Sequence, residues 1–223
     1  MQSLNNADPL SDVIKALFCC PVTVGIASVR ARPPSPWPME EAHLFAVTSA
    51  RLNEFRAGRI AAREALRRLG RPIVGLPPAS DGSLAWPPDI LGSLTHCPGL
   101  CAAVATEAIV SGIGLDAEPV AQPFEQVAHV ICLPEELRDF ANAKLPSAYS
   151  WCALAFVAKE SFIKAASGSA GELPRFKDIR IVPRQGPGMF AFEGSGRLAT
   201  LAARAEGRVR VAGAWLLGGV TIA

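Results

Sequence analysis

The chain has 223 residues, of which 50% are apolar and 19% are charged, and this length allows one large domain or two small ones that share a core. Its net charge of +2 excludes a protein held on nucleic acid by bulk charge, so any anion site must be a local group of basic side chains. Because no segment reaches the roughly 18 apolar residues of a membrane span and no secretory pattern is present, we expect a soluble, cytoplasmic protein that binds neither nucleic acid nor membrane.

The first half of the sequence predicts a strand, a long helix and an irregular loop. In chain order we expect a helix over 10–18, a strand over 22–27, a loop over 32–38, a helical region over 39–69 with a break near Thr48, and a loop over 72–92. Gly70 and Pro72 are typical of a helix end.

The second half predicts more strands around another long helix. We expect strands over 100–105 and 111–116, two helical pieces between 124 and 143, a helix over 147–167, and strands over 179–182, 189–192, 209–217 and 220–222. Helices and strands recur about once per half, so the pattern predicts an α+β protein.

The six cysteines show no C-x-x-C pair, and a chain of this length needs no disulfides. We expect reduced thiols that pack as small apolar groups. Cys97 and Cys101 beside His96 leave a zinc site open, although further ligands at suitable spacing are too few.

Two carboxylates end an apolar strand in Gly112-Ile-Gly-Leu-Asp116-Ala-Glu118. Residues two apart on a strand point to the same face, so Asp116 and Glu118 project side by side. Two close like charges favour a cation between them, and hard oxygen ligands suit Mg²⁺. The alternative is an ordinary strand end that enters solvent.

A helix that is apolar nearly all round carries Glu160 and Lys164 one turn apart. Charges on a largely buried helix need partners. The pair is either a surface ion pair of small energy or part of a polar site.

Basic and polar groups also occur in two earlier segments. Gly92-Ser-Leu-Thr95-His96-Cys-Pro-Gly99 predicts a turn whose Thr95 hydroxyl and His96 ring could bind phosphate, unless a backbone carbonyl satisfies His96. The helix around Phe55 carries an arginine stripe that either binds phosphates or is a solvated face. The stripe contains Arg56, Arg59, Arg63 and Arg67.

These segments, in this order, resemble the enterobactin-synthetase-type group of 4′-phosphopantetheinyl transferases, within the Sfp-like superfamily. The resemblance rests on F-R-A-G-R-I-A-A-R-E-A-L-R-R-L, W-P, G-S-L-T-H-C-P-G, G-I-G-L-D-A-E-P and A-K-E-S-F-I-K, and covers about residues 50–165. It implies two similar α/β halves related by a pseudo-twofold, 1–112 and 113–223, in one globular unit with the ligand cleft between them. Since both halves lie in one chain, a monomer is expected.

The resemblance also implies the reaction and its residues. A Mg²⁺-dependent enzyme would transfer phosphopantetheine from coenzyme A to a serine of an apo acyl or peptidyl carrier protein. Asp116, Glu118 and Glu160 would bind Mg²⁺, and Asp116, Glu160 and Lys164 would be catalytic. The residues implied to bind coenzyme A are Arg51, Arg59, Arg63, Thr95, His96, Lys159 and Lys164, with Thr95 and His96 near the 3′-phosphate.

Three points stay open from the sequence. The loop from Ala79 to Ala85 lacks the basic residue that some relatives carry before the Trp-Pro pair, so one coenzyme A contact is in doubt. Glu160 or a metal-bound water would accept the serine proton. Hydrolysis of coenzyme A with water as nucleophile, and binding without catalysis, are the competing functions.

Overall fold

In the described part of the chain, two separate antiparallel sheets are each packed against one 20-residue helix. The computed structural model describes residues 8–30, 35, 37–42, 44, 46–79, 82–141, 149–170 and 173–223. The mixed α/β class expected from the sequence is confirmed. The described elements are α1 (Pro9–Lys15), β1 (Thr23–Ala27), α2 (Pro38–Glu41), α3 (Ser49–Arg68), β2 (Leu91–Cys97), β3 (Leu100–Thr106), β4 (Gly112–Pro119), α4 (Ala128–Ile131), α5 (Pro134–Ala141), α6 (Trp151–Ala170), β5 (Ile179–Pro183), β6 (Met189–Gly194), α7 (Arg197–Ala203), β7 (Ala205–Ala212) and β8 (Trp215–Ile222).

The first sheet has the order β1-β3-β2 and carries α3 on one face. The helix begins where the Thr48 side chain accepts a hydrogen bond from the Arg51 N–H, as in an N-cap, and it ends before Gly70, whose φ of 79° suits glycine. The helix approaches β1 so closely that a Cβ at Gly25 would collide with the carbonyl oxygen of Ala61. Glycine at this position therefore sets the distance between helix and sheet.

The second sheet has the order β4-β8-β7-β6-β5 and packs against α6. A Cβ at Gly114 on β4 would collide with the carbonyl oxygen of Ser161, and a Cβ at Gly112 with that of Ala165. The face of β4 that carries these glycines therefore lies directly against α6. Asp116 and Glu118 continue the same face of the strand.

Side-chain hydroxyls join the two sheets where β2 lies beside β4. The Leu115 N–H donates to Ser93 Oγ at 2.9 Å, and the Ala117 N–H donates to Thr95 Oγ1 at 3.1 Å. Residues two apart on one strand thus satisfy N–H groups two apart on the other. We call this contact the hydroxyl seam.

The structure differs from the prediction at three places in the chain. Residues 91–97 form strand β2, where the sequence predicted a turn, and the turn is confined to Pro98 and Gly99. A hairpin turn at Gly213 divides the predicted strand 209–217 into two strands. The turn was not predicted, because its sequence Ala-Gly-Ala is as apolar as the strands on either side. Helix α7 was not predicted. Most of the loop 32–38, the residues Ser80 and Asp81 of the loop before Trp86, and the start of the helix at 147 lie outside the described residues.

Three apolar clusters form the core, around α6, between β1 and β4, and under α3. All six cysteines are free thiols. Four of them are buried, in line with the prediction that they pack as small apolar groups, whereas Cys19 is exposed and Cys20 is half-buried. In the described part of the chain, no helix is long and apolar enough to cross a membrane.

Candidate active site

A pocket of about 590 Å³ is lined by residues of α3, β2, β4 and α6 and of the loop before β2. Among the described residues that line it, none is acidic. The basic ones are Arg51, Arg59, His96 and Lys164. Basic side chains that converge on a pocket of this volume suit a ligand of nucleotide size that carries phosphates.

Arg59 is the most buried cation of this pocket, with 6% of its surface exposed. Its guanidinium carbon lies 3.7 Å from the centre of the Phe55 ring, and its Nε donates to the carbonyl of Leu76 at 3.2 Å. Burial lowers the pKa of Arg59 to about 10, and Glu40 opposes this shift. The group therefore stays charged at neutral pH and is held in one place.

Arg51 and His96 meet at the rim of the pocket. Arg51 Nη1 lies 3.0 Å from His96 Nε2 and 3.3 Å from Glu54 Oε2. Burial is the main cause that lowers the pKa of His96, and Glu54 opposes it. Because an arginine can only donate, the neutral His96 ring accepts this bond through Nε2.

The arginine stripe of α3 divides among several partners. Arg63 donates to Glu40 at 2.6 Å and lies over the Trp37 ring, while Arg56 pairs with Glu41 and Arg67 pairs with Glu64. Glu40 is fully buried and also accepts from the Leu76 N–H. Arg63 is not among the described residues that line the pocket. Its contacts with Glu40 and Trp37 instead join α3 to α2.

Lys164 connects the pocket to the carboxylates. Its Nζ lies 2.6 Å from Oδ1 of Asp116 and donates to the Leu115 carbonyl at 3.2 Å. Asp116 is 5% exposed, and its Oδ2 is buried without a hydrogen-bond partner among the described atoms. Of the two alternatives that the sequence left open for Glu160 and Lys164, the polar site is the one that fits, because Lys164 pairs with a strand residue.

The charges of Asp116 and Lys164 also act on the other two carboxylates, Glu118 and Glu160. Burial first, and then the charge of Asp116, raise the pKa of Glu118 to about 7, while Lys164 acts in the opposite direction. Burial likewise raises the pKa of Glu160, again with a contribution from Asp116, while Lys164 lowers it. The structure therefore brings together the three acidic residues that the sequence singled out closely enough for their charges to interact.

A divalent cation is compatible with these residues. The buried Oδ2 of Asp116 has no partner, and the nearby donors are hard carboxylate oxygens. In the described chain, no group of three or more His, Cys, Asp or Glu side chains is arranged to hold a metal ion. Mg²⁺ typically takes only one or two carboxylates and completes its coordination with phosphate oxygens and water. The three-carboxylate site stays a prediction.

Lys159 does not reach the pocket. Its side chain is fully buried, and its Nζ donates to Glu136 at 2.7 Å, to the Ile131 carbonyl at 2.9 Å and to the Phe176 carbonyl at 3.0 Å. An ammonium has three protons, so all of them are used within the protein. This corrects the expectation that Lys159 binds coenzyme A, because no donor is left for a ligand.

Thr95 is also placed differently from the expectation. It is 2% exposed, and its hydroxyl donates to Asp116 Oδ1 at 3.1 Å, whereas the neighbouring His96 is exposed and lines the pocket. The sequence reasoning missed Glu136, the partner of Lys159. It noted Trp86 only as part of the resemblance and gave it no role, whereas in the structure the Trp86 ring packs on Gly92 and lines the pocket.

Comparison with known families is consistent with this geometry. A model described as the 4′-phosphopantetheinyl transferase N-terminal domain matches residues 39–106. A second model, described as the 4′-phosphopantetheinyl transferase superfamily, matches residues 112–210. The first match contains the pocket arginines and His96, and the second contains the carboxylates and Lys164.

Curated relatives match somewhat more than half of the chain. The 4′-phosphopantetheinyl transferase Svp of Streptomyces mobaraensis is 41% identical over 132 residues, which cover 58% of this chain and 53% of the relative. PptT of Mycobacterium tuberculosis, also a 4′-phosphopantetheinyl transferase, is 39% identical over 142 residues, 62% of either chain. Enterobactin synthase component D of Escherichia coli K12 is 35% identical over 135 residues, 58% of this chain and 62% of the relative. The chain thus spans 53% to 62% of the length of these relatives.

Proposed function

This chain belongs to the 4′-phosphopantetheinyl transferase superfamily, and we propose that it transfers the 4′-phosphopantetheine arm of coenzyme A to a serine of an apo carrier protein. The products are the holo-carrier protein and adenosine 3′,5′-bisphosphate. The observation that carries the proposal is the pocket with four basic side chains, one of which, Lys164, is bonded to the buried Asp116.

The basic side chains of the pocket bind the phosphates of coenzyme A. Arg59 is fixed by Phe55 and the Leu76 carbonyl, so it binds a phosphate without losing much side-chain freedom. Arg51 and His96 at the rim bind a second phosphate after Arg51 releases Glu54. Several local cations suit a ligand with a diphosphate and a 3′-phosphate in a protein of net charge +2.

The reaction is a displacement at the β-phosphorus of coenzyme A. The serine Oγ forms a bond to phosphorus, and the bond from phosphorus to the bisphosphate leaving group breaks. Lys164 balances the negative charge that grows on the leaving side. Glu160 accepts the serine proton, which its raised pKa makes easier than for an ordinary carboxylate.

Mg²⁺ is the proposed metal, held by Asp116 together with Glu118 and Glu160. When bound, it would neutralise the diphosphate charge. The unpartnered Oδ2 of Asp116 supports this assignment. The two proposed roles of Glu160 oppose each other, because a carboxylate that binds a metal is a weaker base.

The proposed acceptor is a carrier domain of a nonribosomal peptide, polyketide or related assembly line. The name of one relative, enterobactin synthase component D, supports this choice of pathway class. Apolar side chains on and before α4 and on α5 give a carrier protein a surface to bind, since Val127, Val130 and Leu137 are 41%, 50% and 40% exposed.

We also propose that the two halves are related by a pseudo-twofold. The close contact of Gly25 on β1 with α3 and that of Gly114 on β4 with α6 support this relation. In each contact a Cβ would collide with a helix carbonyl and approach the N–H four residues later, Ala61 with Ala65 and Ser161 with Ala165. Both helices have 20 residues. The halves meet along the hydroxyl seam.

The test is intact-mass spectrometry of candidate apo-carrier proteins after incubation with the chain, coenzyme A and Mg²⁺. We expect a mass gain of one phosphopantetheine, which a carrier with the acceptor serine changed to alanine does not show. Release of adenosine 3′,5′-bisphosphate at an equal rate without carrier would instead indicate hydrolysis. Binding of coenzyme A with neither product would indicate a binding protein, and both outcomes would contradict the proposal.

A further inference from the structure

The two hydroxyls of the seam have unequal surroundings. Ser93 Oγ accepts from the Leu115 N–H, and Thr95 Oγ1 accepts from the Ala117 N–H. Thr95 Oγ1 in addition donates to Oδ1 of Asp116 at 3.1 Å. The seam therefore contains one hydroxyl that joins strands and one that both joins strands and touches a carboxylate.

The direction of the Thr95 hydroxyl is set by its backbone partner. A hydroxyl has one proton and two lone pairs, and the Ala117 N–H occupies one lone pair. The proton is then free for Asp116. Thr95 is β-branched and 2% exposed, so its side chain has few alternative rotamers.

Asp116 receives both of its donors on the same oxygen. Thr95 Oγ1 and Lys164 Nζ reach Oδ1 at 3.1 and 2.6 Å. Oδ2 is buried and has no hydrogen-bond partner among the described atoms. A buried carboxylate oxygen without a partner is costly, which indicates that a ligand completes it.

We propose that Thr95 is a positioning residue, whose hydroxyl orients the Asp116 carboxylate so that Oδ2 is left for the divalent cation. This inference rests on the proposed function. It gives Thr95 a role other than the phosphate contact that the resemblance implied. His96, which follows it on β2, is exposed at the pocket instead.

Three variants separate this role from a purely structural one. Thr95→Val keeps the shape and removes the hydroxyl, and Thr95→Ser keeps the hydroxyl. Ser93→Ala removes the other hydrogen bond of the seam and no contact to Asp116. If Thr95→Val does not fold, Thr95→Ala removes the same group with a smaller side chain.

The measured quantity is the affinity for Mn²⁺ in the presence of coenzyme A, followed by the electron paramagnetic resonance signal of free Mn²⁺. We expect Thr95→Val to weaken Mn²⁺ binding about tenfold or more, as is typical when a group that orients a metal ligand is removed. Thr95→Ser should bind Mn²⁺ nearly as the wild type does. Ser93 also lines the pocket, so Ser93→Ala is measured at saturating coenzyme A, where it should lose thermal stability but keep its Mn²⁺ affinity.

Calorimetry of coenzyme A binding in EDTA completes the test. The proposal expects Thr95→Val to bind coenzyme A without metal as the wild type does. A Thr95→Val variant with the Mn²⁺ affinity of the wild type would overturn the proposal. A variant that loses only affinity for coenzyme A in EDTA would also overturn it, because that result indicates a direct contact between Thr95 and a phosphate. A wild-type protein that binds Mn²⁺ with coenzyme A but modifies no carrier would contradict the proposed function alone, whereas one that binds no Mn²⁺ would overturn this inference.

Discussion

Lys164 on α6 lies 2.6 Å from Oδ1 of Asp116 on β4, and its side chain also lines the pocket. One ammonium thus contacts both the buried carboxylate and the space assigned to coenzyme A. Lys164→Met should lower kcat about 100-fold or more, because it removes a cation placed where charge develops. Turnover by intact-mass spectrometry checks this.

Lys177→Met is the matched control for Lys164→Met. Lys177 is exposed on the 3₁₀ turn Phe176–Asp178 and is absent from the described pocket lining, so its loss should leave turnover near the wild-type value. Equal turnover of the two variants would remove Lys164 from the mechanism.

Glu160→Gln should nearly abolish transfer while coenzyme A still binds. The amide keeps the shape of the side chain but cannot accept the serine proton, and loss of such a group typically costs about 100-fold to 10,000-fold in rate. Single-turnover transfer and calorimetric coenzyme A affinity measure the two effects separately. Glu193→Gln on β6, where Glu193 pairs with Arg180 on the surface, is the control. Near-normal turnover of Glu160→Gln would contradict its role as base.

Arg59→Gln should weaken coenzyme A binding about tenfold to a hundredfold, because a charged hydrogen bond contributes about 1.5–3 kcal/mol. Arg67→Gln is matched to it, since Arg67 lies on the same helix two turns further on and is exposed. Calorimetry in EDTA measures both. A similar affinity for the two variants would place the phosphates elsewhere.

Lys159→Met should destabilise the fold by about 3–5 kcal/mol, because it leaves Glu136 charged and buried without its partner. The double variant Lys159→Met with Glu136→Leu should recover part of this free energy of unfolding, since both charges are then absent. Urea unfolding measures the three proteins. A double variant no more stable than the single one would show that the hydrogen bonds from Leu133 and Ile181 to Glu136 dominate.

Acid stability should depend on Glu64. Hydrogen bonds from Arg67 and then Arg68, against an opposing effect of burial, lower the pKa of Glu64 to about 2 from its usual 4.5. The folded state therefore holds this proton less tightly than the unfolded state, so the stabilisation is complete above about pH 4.5 and is lost as pH falls to about 2. Glu64→Gln should be less stable than the wild type at pH 7, by no more than about 1 kcal/mol, and the two should converge near pH 2. A constant difference across this range would contradict the assignment.

The sequence allowed part of this site to be predicted and not the rest. The period of a strand predicted that Asp116 and Glu118 lie on the same face, and the turn of a helix predicted that Lys164 lies beside Glu160. Both predictions need only local geometry. The partner of Lys159 could not be predicted, since Glu136 lies 23 residues away in the chain and reaches it only in the folded protein. Ser93 and Thr95 were assigned to a turn, because Gly92, Pro98 and Gly99 surround them with turn residues. They lie on strand β2 instead, where their hydroxyls accept hydrogen bonds from N–H groups of β4.

The hydroxyl seam has a consequence for any attempt to divide the chain. β2 and β4 each stand at the border of their own sheet, and an isolated fragment would present that border to water and to other copies of itself. Fragments cut near residue 110 should therefore aggregate when produced apart and regain solubility when produced together. Joint expression of two such pieces would test whether the hydroxyl seam and the apolar cluster between β1 and β4 can hold two separate chains together.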